Sequence, residues 1–435
     1  MSGRAEAQPP TTQVKADGDS TPRYAPRLVL GALYEQLASS SPRLAAVQAV
    51  ARATEARVSG ARRPADPQLQ LGFMNRALPS LESMDPLGMT QLQLMQMVPV
   101  AGKLALAGRI AEAKAGAARS RAVDVRWELR AQVASAFYDL YQTEQSLEVA
   151  NATRRLLQDI AMTAQTMYAV GEGRQPDVLR AQVEIARMTG DITRMRTMMT
   201  AIDARLAGLL DRVPEPEPSS PALPAFPAEL PSLDSLMLMA RANRPIVQAG
   251  REELRGAEAA ATLARRELWP DIEVGVQYGW RNGGPGMGME QMGSLMLGAS
   301  IPVFARSRQM QMREEAVAMR TMAAAELAAM QAETAGRVAA SYADWRRARD
   351  LEDLYRSTVL PQARATVTSS LAAYRVGDVN FMTVLDNQMT LNDYEQELIA
   401  LVAEQGKALA ELEMLIGQQL FDPNRLAAPA AGSEP

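Results

Sequence analysis

Four short stretches of the chain alternate apolar with polar residues, and between them the apolar residues recur at helical spacing. In the clearest stretch every second residue from Ile272 to Trp280 is apolar, and glutamate, glutamine or glycine stands between them. A similar period of two runs through residues 69–73, 90–98 and 295–301. Because successive side chains of a strand point to opposite faces, this pattern predicts four strands, each with one apolar face.

The four predicted strands form two β-hairpins, over residues 67–99 and 270–302, because a loop rich in proline or glycine separates the strands of each pair. In the second hairpin this loop covers residues 283–293 and is rich in glycine and methionine. In the first hairpin the alternation loses its phase at Met95, which predicts a β-bulge or the rim of a barrel at that position.

Helix-forming runs occupy most of the remaining chain, at about residues 29–63, 103–168, 176–210, 232–268, 306–374 and 381–416. In the second run apolar residues recur every three or four positions from Trp127 to Tyr141, a spacing typical of a coiled-coil seam. At about 1.5 Å per residue this run alone is roughly 95–100 Å long, which no compact globule requires. Pro361 lies inside the fifth run and predicts a kink there.

The chain is a duplication. The motif Tyr-x-Val-Gly begins at Tyr168 and again at Tyr374, an offset of 374 − 168 = 206. The prolines that end the two hairpins, Pro99 and Pro302, are related by an offset of 302 − 99 = 203. Solenoid repeats have periods of roughly 20–50 residues, so each half of this chain is instead predicted to be a unit of several elements.

The duplication divides the chain into five predicted segments. They are a disordered N-terminal arm (1–28), the first repeat (29–212, with a tip turn at 168–176), a proline-rich linker (213–231), the second repeat (232–417, with a tip turn at 374–380) and a disordered tail (418–435).

Composition argues against several classes of protein. The chain has 435 residues, a formal net charge of −4, and neither histidine nor cysteine. The charge provides no basic surface for nucleic acid. The missing side chains include the commonest general base and the thiolate nucleophile, so neither an enzyme nor a cofactor is expected. No apolar run reaches the ~18–20 residues of a membrane helix, and the polar start shows no signal peptide.

The strands indicate a membrane barrel. Each has about ten residues, the length that a tilted strand needs to cross a bilayer, with one apolar and one polar face. Four strands cannot close on themselves, and open sheet edges are not tolerated in lipid, so oligomerisation is predicted; three copies supply twelve strands. The alternative is a soluble four-stranded sheet covered by helices, which leaves the helices of roughly 100 Å unexplained.

The repeated Tyr-x-Val-Gly and Val-Leu-x-x-Gln motifs, with Val98-Pro-Val and Ile301-Pro-Val at the strand ends, resemble the TolC family of outer-membrane efflux ducts. The resemblance covers about residues 29–417. It implies a mainly α-helical homotrimer, in which a twelve-stranded β-barrel in outer-membrane lipid continues into a twelve-helix α-barrel in the periplasm of a Gram-negative-type bacterium. It also implies two partners, a periplasmic adaptor protein and an inner-membrane pump expected to be of the RND type.

The resemblance assigns a role to both tip turns. In the family such tips dock the adaptor, through backbone and small residues that allow close approach. In this chain that role falls to Val170, Gly171, Val376 and Gly377. Plain helix-capping glycines would have the same sequence, and the two interpretations are compatible.

The family also has an Asp-Val-Leu-Asp motif, whose carboxylates constrict the tunnel entrance. This chain has Thr383-Val-Leu-Asp386 at the matching place, so only the second carboxylate is retained. Asp177 supplies a further carboxylate near the other tip. Three carboxylates around a symmetry axis would favour cations, whereas a lone aspartate at a helix start is simply stabilised by the helix dipole.

Methionine gives a candidate metal contact. Met287, Met289 and Met292 fall in the predicted glycine-rich loop, and thioethers are soft ligands that suit Cu(I). The alternative is a bias of composition, since the chain has 26 methionines and methionine in helices is ordinary core filler.

The predicted function is passive conduction from the periplasm to the exterior, with metal ions among the candidate substrates and the heavy-metal efflux ducts as the candidate subgroup. Three alternatives remain open. One is a type I secretion duct of the same fold. Another is a periplasmic adaptor, which would lack two lipid-facing hairpins at duplicated positions, and the third is a soluble coiled-coil scaffold.

Overall fold

The computed structural model of the protein describes residues 27–77, 79, 88–214, 220–282 and 288–427. The helices are α1 (Leu30–Ser40), α2 (Pro42–Ala61), α3 (Lys103–Ala169), α4 (Gln175–Leu209), α5 (Leu233–Asn243), α6 (Pro245–Arg266), α7 (Gln309–Leu354), α8 (Leu360–Arg375) and α9 (Phe381–Ile416). The strands are β1 (Leu28–Val29), β2 (Gln68–Met74), β3 (Met89–Val98), β4 (Pro221–Ala222), β5 (Ile272–Asn282) and β6 (Met289–Ala299). Across these described ranges, none of the helices combines the length and the apolar character that a membrane crossing needs.

The two hairpins join into one four-stranded antiparallel sheet with the order β2-β3-β5-β6. One row across the four strands consists of apolar residues, namely Leu69, Leu94, Val276 and Leu295. The alternating apolar residues of all four strands therefore share a face, as the period of two predicts. We call this the apolar face, and the opposite one, with Gln70, Gln93, Gln277 and Ser294 in its middle row, the polar face.

The predicted bulge at Met95 is wrong. Residues Met89–Val98 pair one to one with residues Arg281–Ile272, without an extra residue on either strand. Met95 and Met97 therefore lie on the polar face and Gln96 on the apolar one. Methionine is compatible with either face, and the Gln96 amide near the strand end donates hydrogen bonds to the Ala65 and Met97 carbonyls, both at 2.8 Å.

The predicted loop over residues 283–293 is also too long. Strand β6 begins at Met289, which pairs with Asn282, so Met289 to Gly293 belong to the sheet. Glycine and methionine carry little local preference for strands, and here the pairing with β5 decides the conformation.

Helix α3 has 67 residues and runs for about 100 Å at 1.5 Å per residue. The middle of α3 forms the main core with α1, α5, α7 and α9, and there Phe137 and Tyr138 are fully buried. A second core lies toward one end of the helices, where α3, α4, α8 and α9 pack around Ile160, Met188 and Phe381. In the predicted seam of α3, Ala134 and Tyr138 are fully buried, whereas Trp127, Ala131 and Tyr141 are half-buried.

Two runs predicted as single helices, 29–63 and 232–268, are each divided by a proline. Helix α2 begins at Pro42 and α6 at Pro245, and these two prolines are related by the same offset as Pro99 and Pro302. The preceding residues, Ser41 and Arg244, have ψ angles of 115° and 122°. Proline has no N–H group and disfavours helical backbone in the residue before it, so one helix ends and another begins.

Just before Pro361, where a kink was predicted, the helical run contains a π-helical turn over Tyr355–Val359, between α7 and α8. The Leu360 N–H donates to the Tyr355 carbonyl, five residues earlier, instead of to residue 356. A wider turn accommodates the proline ring, which cannot donate a backbone hydrogen bond, without ending the helical run.

The linker and the tail pack against the main core more than the sequence predicts. Strand β4 pairs in parallel with β1, and Phe226 lies with its ring centroid 5.9 Å from that of Tyr138. Phe421, in the tail predicted to be disordered, is buried 6.5 Å from Phe226, so residues 418–427 are ordered. Residues 1–26 and 428–435, the rest of the predicted arm and tail, lie outside the described residues.

Candidate functional sites at the helical tips and on the sheet

Both helical hairpins end in the same turn. Gly171 and Gly377 have positive φ angles of 82° and 78°, and each donates its N–H to the carbonyl of a tyrosine three residues earlier, at 3.1 Å and 3.0 Å. The next residues, Glu172 and Asp378, donate to carbonyls five residues earlier, both at 2.9 Å. These two bonds define a Schellman cap, in which glycine takes the left-handed conformation that other L-residues rarely adopt.

The two turns lie at one end of the molecule, because residues that flank both of them pack in the second core. Val170 and Val376 project from this end with 67% and 73% of their surface exposed. A Cβ atom added at Gly171 or Gly377 would meet nothing within 4 Å among the described residues. The structure therefore places all four residues predicted to dock an adaptor on one open surface, which we call the tip surface.

The tip surface is not symmetric in its aromatic residues. Tyr168 of the first motif is 47% exposed, whereas its counterpart Tyr374 is 5% exposed and stacks edge-on against Phe381, with ring centroids 5.9 Å apart. Burial raises the pKa of Tyr374, and the carboxylate of Asp177 raises it further. Asp177 lies in the first turn of α4 and is near enough to Tyr374 for its charge to act on the phenol.

Asp386 and Thr383 lie on the first turns of α9 and face away from the core, while Val384 and Leu385 between them are buried. Side chains at i and i+3 of a helix lie on the same side, so Thr383 and Asp386 share one outward face. Asp393 and Glu397 continue this face along the helix, at spacings of seven and four residues. Sequence reasoning missed these two carboxylates, although their helical spacing from Asp386 was visible.

Thr383 takes part in the N-terminal cap of α9. Asn380 caps α9, because its Oδ1 accepts hydrogen bonds from the Thr383 N–H at 2.9 Å and from the Thr383 hydroxyl at 3.0 Å. The sequence signal for Asn380 was an asparagine directly before an apolar helical run. The Thr383 hydroxyl is therefore held at the helix start.

The duplication relates the residues predicted to line the entrance to one another. At the offset of 206, Asp177 corresponds to Thr383 (383 − 177) and Arg180 corresponds to Asp386 (386 − 180). Arg180 is exposed, with its Nε 3.9 Å from Glu184 Oε1. At these two equivalent positions the first repeat has an acidic and a basic residue, Asp177 and Arg180, and the second repeat has Thr383 and Asp386.

The predicted methionine contact is not assembled. Met289 and Met292 lie three residues apart in strand β6, so their side chains are on opposite faces of the sheet. Met287 lies outside the described residues. The part of the chain that the structure describes also contains no group of three or more aspartate, glutamate, histidine or cysteine residues able to hold a metal ion.

A buried carboxylate joins the tail to the main core. Glu413, with 3% of its side chain exposed, accepts hydrogen bonds from the backbone N–H groups of Leu420 at 2.7 Å and Phe421 at 3.4 Å, and lies 3.8 Å from the Arg130 guanidinium. Arg130 in turn stacks over the Tyr34 ring, 4.0 Å from its centroid. Burial raises the pKa of Glu413 to about 7, against the lowering effect of these donors.

The chain is similar to known proteins over most of its length. Residues 33–211 and 236–418 match the family described as outer membrane efflux protein. The cobalt-zinc-cadmium resistance protein CzcC of Cupriavidus metallidurans is 21% identical over 328 residues, which cover 74% of this chain and 75% of CzcC.

Solved structures share the fold. The structure of CusC aligns with a TM-score of 0.76 at 16% identity, over 91% of this chain and 93% of CusC. That of VceC from Vibrio cholerae aligns with a TM-score of 0.77 at 17% identity, over 90% of this chain and 97% of VceC. The two matched segments each contain one hairpin of the sheet and one tip turn. The chain therefore belongs to the outer membrane efflux protein family, and it is an outer-membrane channel that extends into the periplasm.

Proposed function

We propose that three copies of this chain form a passive efflux duct, in which a twelve-stranded barrel in the outer membrane continues into a tunnel of helices through the periplasm. The observation that carries the proposal is the sheet, whose two edge strands have no strand partner among the described residues and whose apolar face is exposed. Strands β2 and β6 are its edges, and Leu295 and Leu297 on β6 are 72% and 73% exposed.

The sheet geometry is compatible with closure by three copies. Each strand of the sheet is antiparallel to its neighbour, so strand direction alternates across the order β2-β3-β5-β6. The two edge strands, β2 and β6, therefore run in opposite directions. Pairing β6 of each copy with β2 of the next would continue this pattern around a ring and satisfy the backbone groups of both edges. Lipid requires such closure, because an unpaired backbone group there costs several kcal/mol.

The tip surface is proposed to dock a periplasmic adaptor protein, which connects the duct to an inner-membrane pump. Two features of the surface support docking. Val170 and Val376 are exposed apolar side chains, one in each turn, and the glycine that follows each valine leaves the backbone uncovered. A partner helix could therefore approach the turns closely. We assign the pump to the RND type on the family resemblance.

The duct entrance is proposed to be lined by Asp386, with Thr383 on the same helix face and Asp177 on α4 beside the second turn. In a trimer, three copies of Asp386 would surround the symmetry axis. A ring of carboxylates attracts cations and repels anions, so the entrance would favour cationic cargo. Metal cations are the cargo we propose, because CzcC, similar over three quarters of this chain, is a cobalt-zinc-cadmium resistance protein.

Planar-bilayer recordings test this function. The purified full-length protein is expected to give long-lived, ohmic channels without nucleotide or a proton gradient, since conduction is passive. Channels that favour cations over anions in a salt gradient would support the acidic entrance. A protein that inserts into the bilayer but conducts no current, or conducts only with an energy source, would contradict the proposal.

A further inference from the structure

We propose that the polar face of the sheet holds a binding site for a soft monovalent metal cation, such as Ag⁺ or Cu⁺, formed by the thioethers of Met95 and Met296 and the carboxylate of Glu273. The inference rests on the proposed function, because the duct would carry its cargo past this face. It also adds one class of cation, the soft monovalent ions, to the metal cations named in the proposed function.

Gly275 opens the space between the two methionines. Met95 on β3 and Met296 on β6 both pair with Gly275, which lies between them on β5. A Cβ atom at Gly275 would lie 3.5 Å from Met95 Cγ and 3.5 Å from Met296 Cε, so these two carbons flank a single small gap. Each carbon is bonded directly to the sulfur of its residue. Rotation of the flexible thioether ends can therefore bring both sulfurs to one ion.

Glu273 supplies the charge next to this pair. It precedes Gly275 by two residues and so lies on the same face of β5. A Cβ atom built at Gly298 would lie 3.5 Å from Glu273 Oε2, so the carboxylate extends toward strand β6. Met296 is on the same strand, two residues before Gly298. A carboxylate beside two thioethers balances the charge of a monovalent cation.

Gln93 orients one of the sulfurs. Its amide Nε2 is the hydrogen-bond donor to Met95 Sδ. A thioether sulfur has two lone pairs, so the second remains available to a metal ion. The position of Met95 in the strand already puts its side chain on the polar face, where Gln93 contacts it.

A second methionine pair lies along the same face. Met292 pairs with Gly279, and Met89 Sδ lies 3.1 Å from the place where a Cβ atom of Gly279 would be. The four residues from Gly275 to Gly279 correspond to about 13 Å along the strand. The two pairs would give a soft cation successive contacts along the barrel wall.

The chemistry of these ligands selects the class of cation. Thioethers are soft donors that favour Cu(I) and similar ions, whereas Zn²⁺ sites use thiolate, imidazole or carboxylate ligands. Methionine elsewhere fills protein cores, but Met95 and Met296 face the polar side of the sheet, where no core of the described chain covers them.

The test measures silver bound to the purified full-length protein in detergent, by equilibrium dialysis against AgNO₃ in chloride-free buffer, with X-ray absorption to identify sulfur ligands. The test variants are Met95→Leu/Met296→Leu and Gly275→Ala, which places a methyl group between the thioethers. The control is Met312→Leu/Met319→Leu, which changes two exposed methionines on α7. Leucine replaces methionine with little change of volume.

The parent and the control are expected to bind the same amount of Ag⁺ through sulfur, and the double variant is expected to lose one ion per protomer. Gly275→Ala should weaken binding with all methionines present. Equal silver binding in parent and double variant, or an equal loss in the control, would overturn the site. Bilayer conductance of the same samples separates the two proposals. Protein that conducts but binds no silver through Met95 and Met296 contradicts only the metal site. Protein that binds silver there but forms no channels contradicts only the proposed duct.

Discussion

Gly171 and Gly377 have the same left-handed backbone conformation at equivalent positions of the two repeats, with φ angles of 82° and 78°. Each closes the C-terminal turn of a long helical run, and each stands next to an exposed valine. A duplication that keeps this turn twice, at the same end of the molecule, makes the tip surface the natural place for a partner that contacts both repeats.

The tip surface gives the first prediction. Gly377→Trp should weaken binding of the adaptor and leave trimer assembly intact, because the added ring occupies open space away from both cores. Gly377→Asn is the matched control, since asparagine tolerates the left-handed conformation without filling that space. Binding is measured by surface plasmon resonance with the adaptor immobilised. Equal binding by parent and tryptophan variant would remove the docking role from this turn.

The faces of the sheet give the second prediction. Leu295→Arg puts a charge on the apolar face of β6, one residue from the middle of the strand, and should cost roughly 2–4 kcal/mol of barrel stability near mid-membrane. Ser294→Arg, on the polar face of the same strand, should cost much less. Urea unfolding of the protein in lipid vesicles measures both. A similar loss in the two variants would mean that the assignment of the faces is wrong.

Asp386 and Arg180 give the third prediction, because they occupy equivalent positions in the two repeats. Asp386→Ala should raise single-channel conductance and weaken block by divalent or trivalent cations added from the periplasmic side. The effect should exceed that of Asp177→Ala, whereas Arg180→Ala should strengthen the block, since it removes a positive charge. Planar-bilayer recordings measure all three variants. Parent-like conductance and block in Asp386→Ala would place the constriction elsewhere.

Glu413 gives a prediction about pH. Burial raises its folded-state pKa from 4.5 to about 7, so the protonated form favours the folded protein. The contribution to stability is fully present below pH 4.5 and is lost as pH rises through about 7. A rise of this size in the pKa corresponds to about 3 kcal/mol per protomer as an order of magnitude.

Helix melting by circular dichroism at pH 5 and pH 8 measures this loss. Glu413→Gln stays neutral and keeps an oxygen for the Leu420 N–H, so its melting temperature should depend less on pH than that of the parent. The control is Glu411→Gln, which removes a more exposed partner of Arg337 and should keep the parental dependence. If the melting temperature of Glu413→Gln falls between pH 5 and pH 8 by as much as that of the parent, the pH dependence arises from other groups.

Local patterns were sufficient to predict the sheet faces and the tip turns. The alternation from Ile272 to Trp280 predicts one apolar and one polar face. In the Val-Gly turns, glycine favours the left-handed backbone conformation that the turn requires. The strand register was not predictable in this way. At Met95 the alternation loses its phase although the pairing is regular, because methionine fits both faces.

Contacts between distant segments account for what the sequence did not predict. Phe421 meets Phe226 although the two lie far apart along the chain, and no local pattern marks either residue. The same holds for the candidate sites. The sequence motif was sufficient to predict Asp386 near the tip. The pairing of the strands, which the sequence did not reveal, shows that Met289 and Met292 lie in one strand on opposite faces. The same pairing brings Met95 and Met296 to either side of Gly275.

The trimeric duct requires that edge strand β6 of each copy pairs with edge strand β2 of the next, so that three copies are joined. Native mass spectrometry of the protein released from detergent micelles tests it most directly. A single dominant species is expected at three times the 47.1 kDa mass of one chain. A dominant species at 47.1 kDa, or at any multiple other than three, from protein that still conducts in bilayers would contradict it.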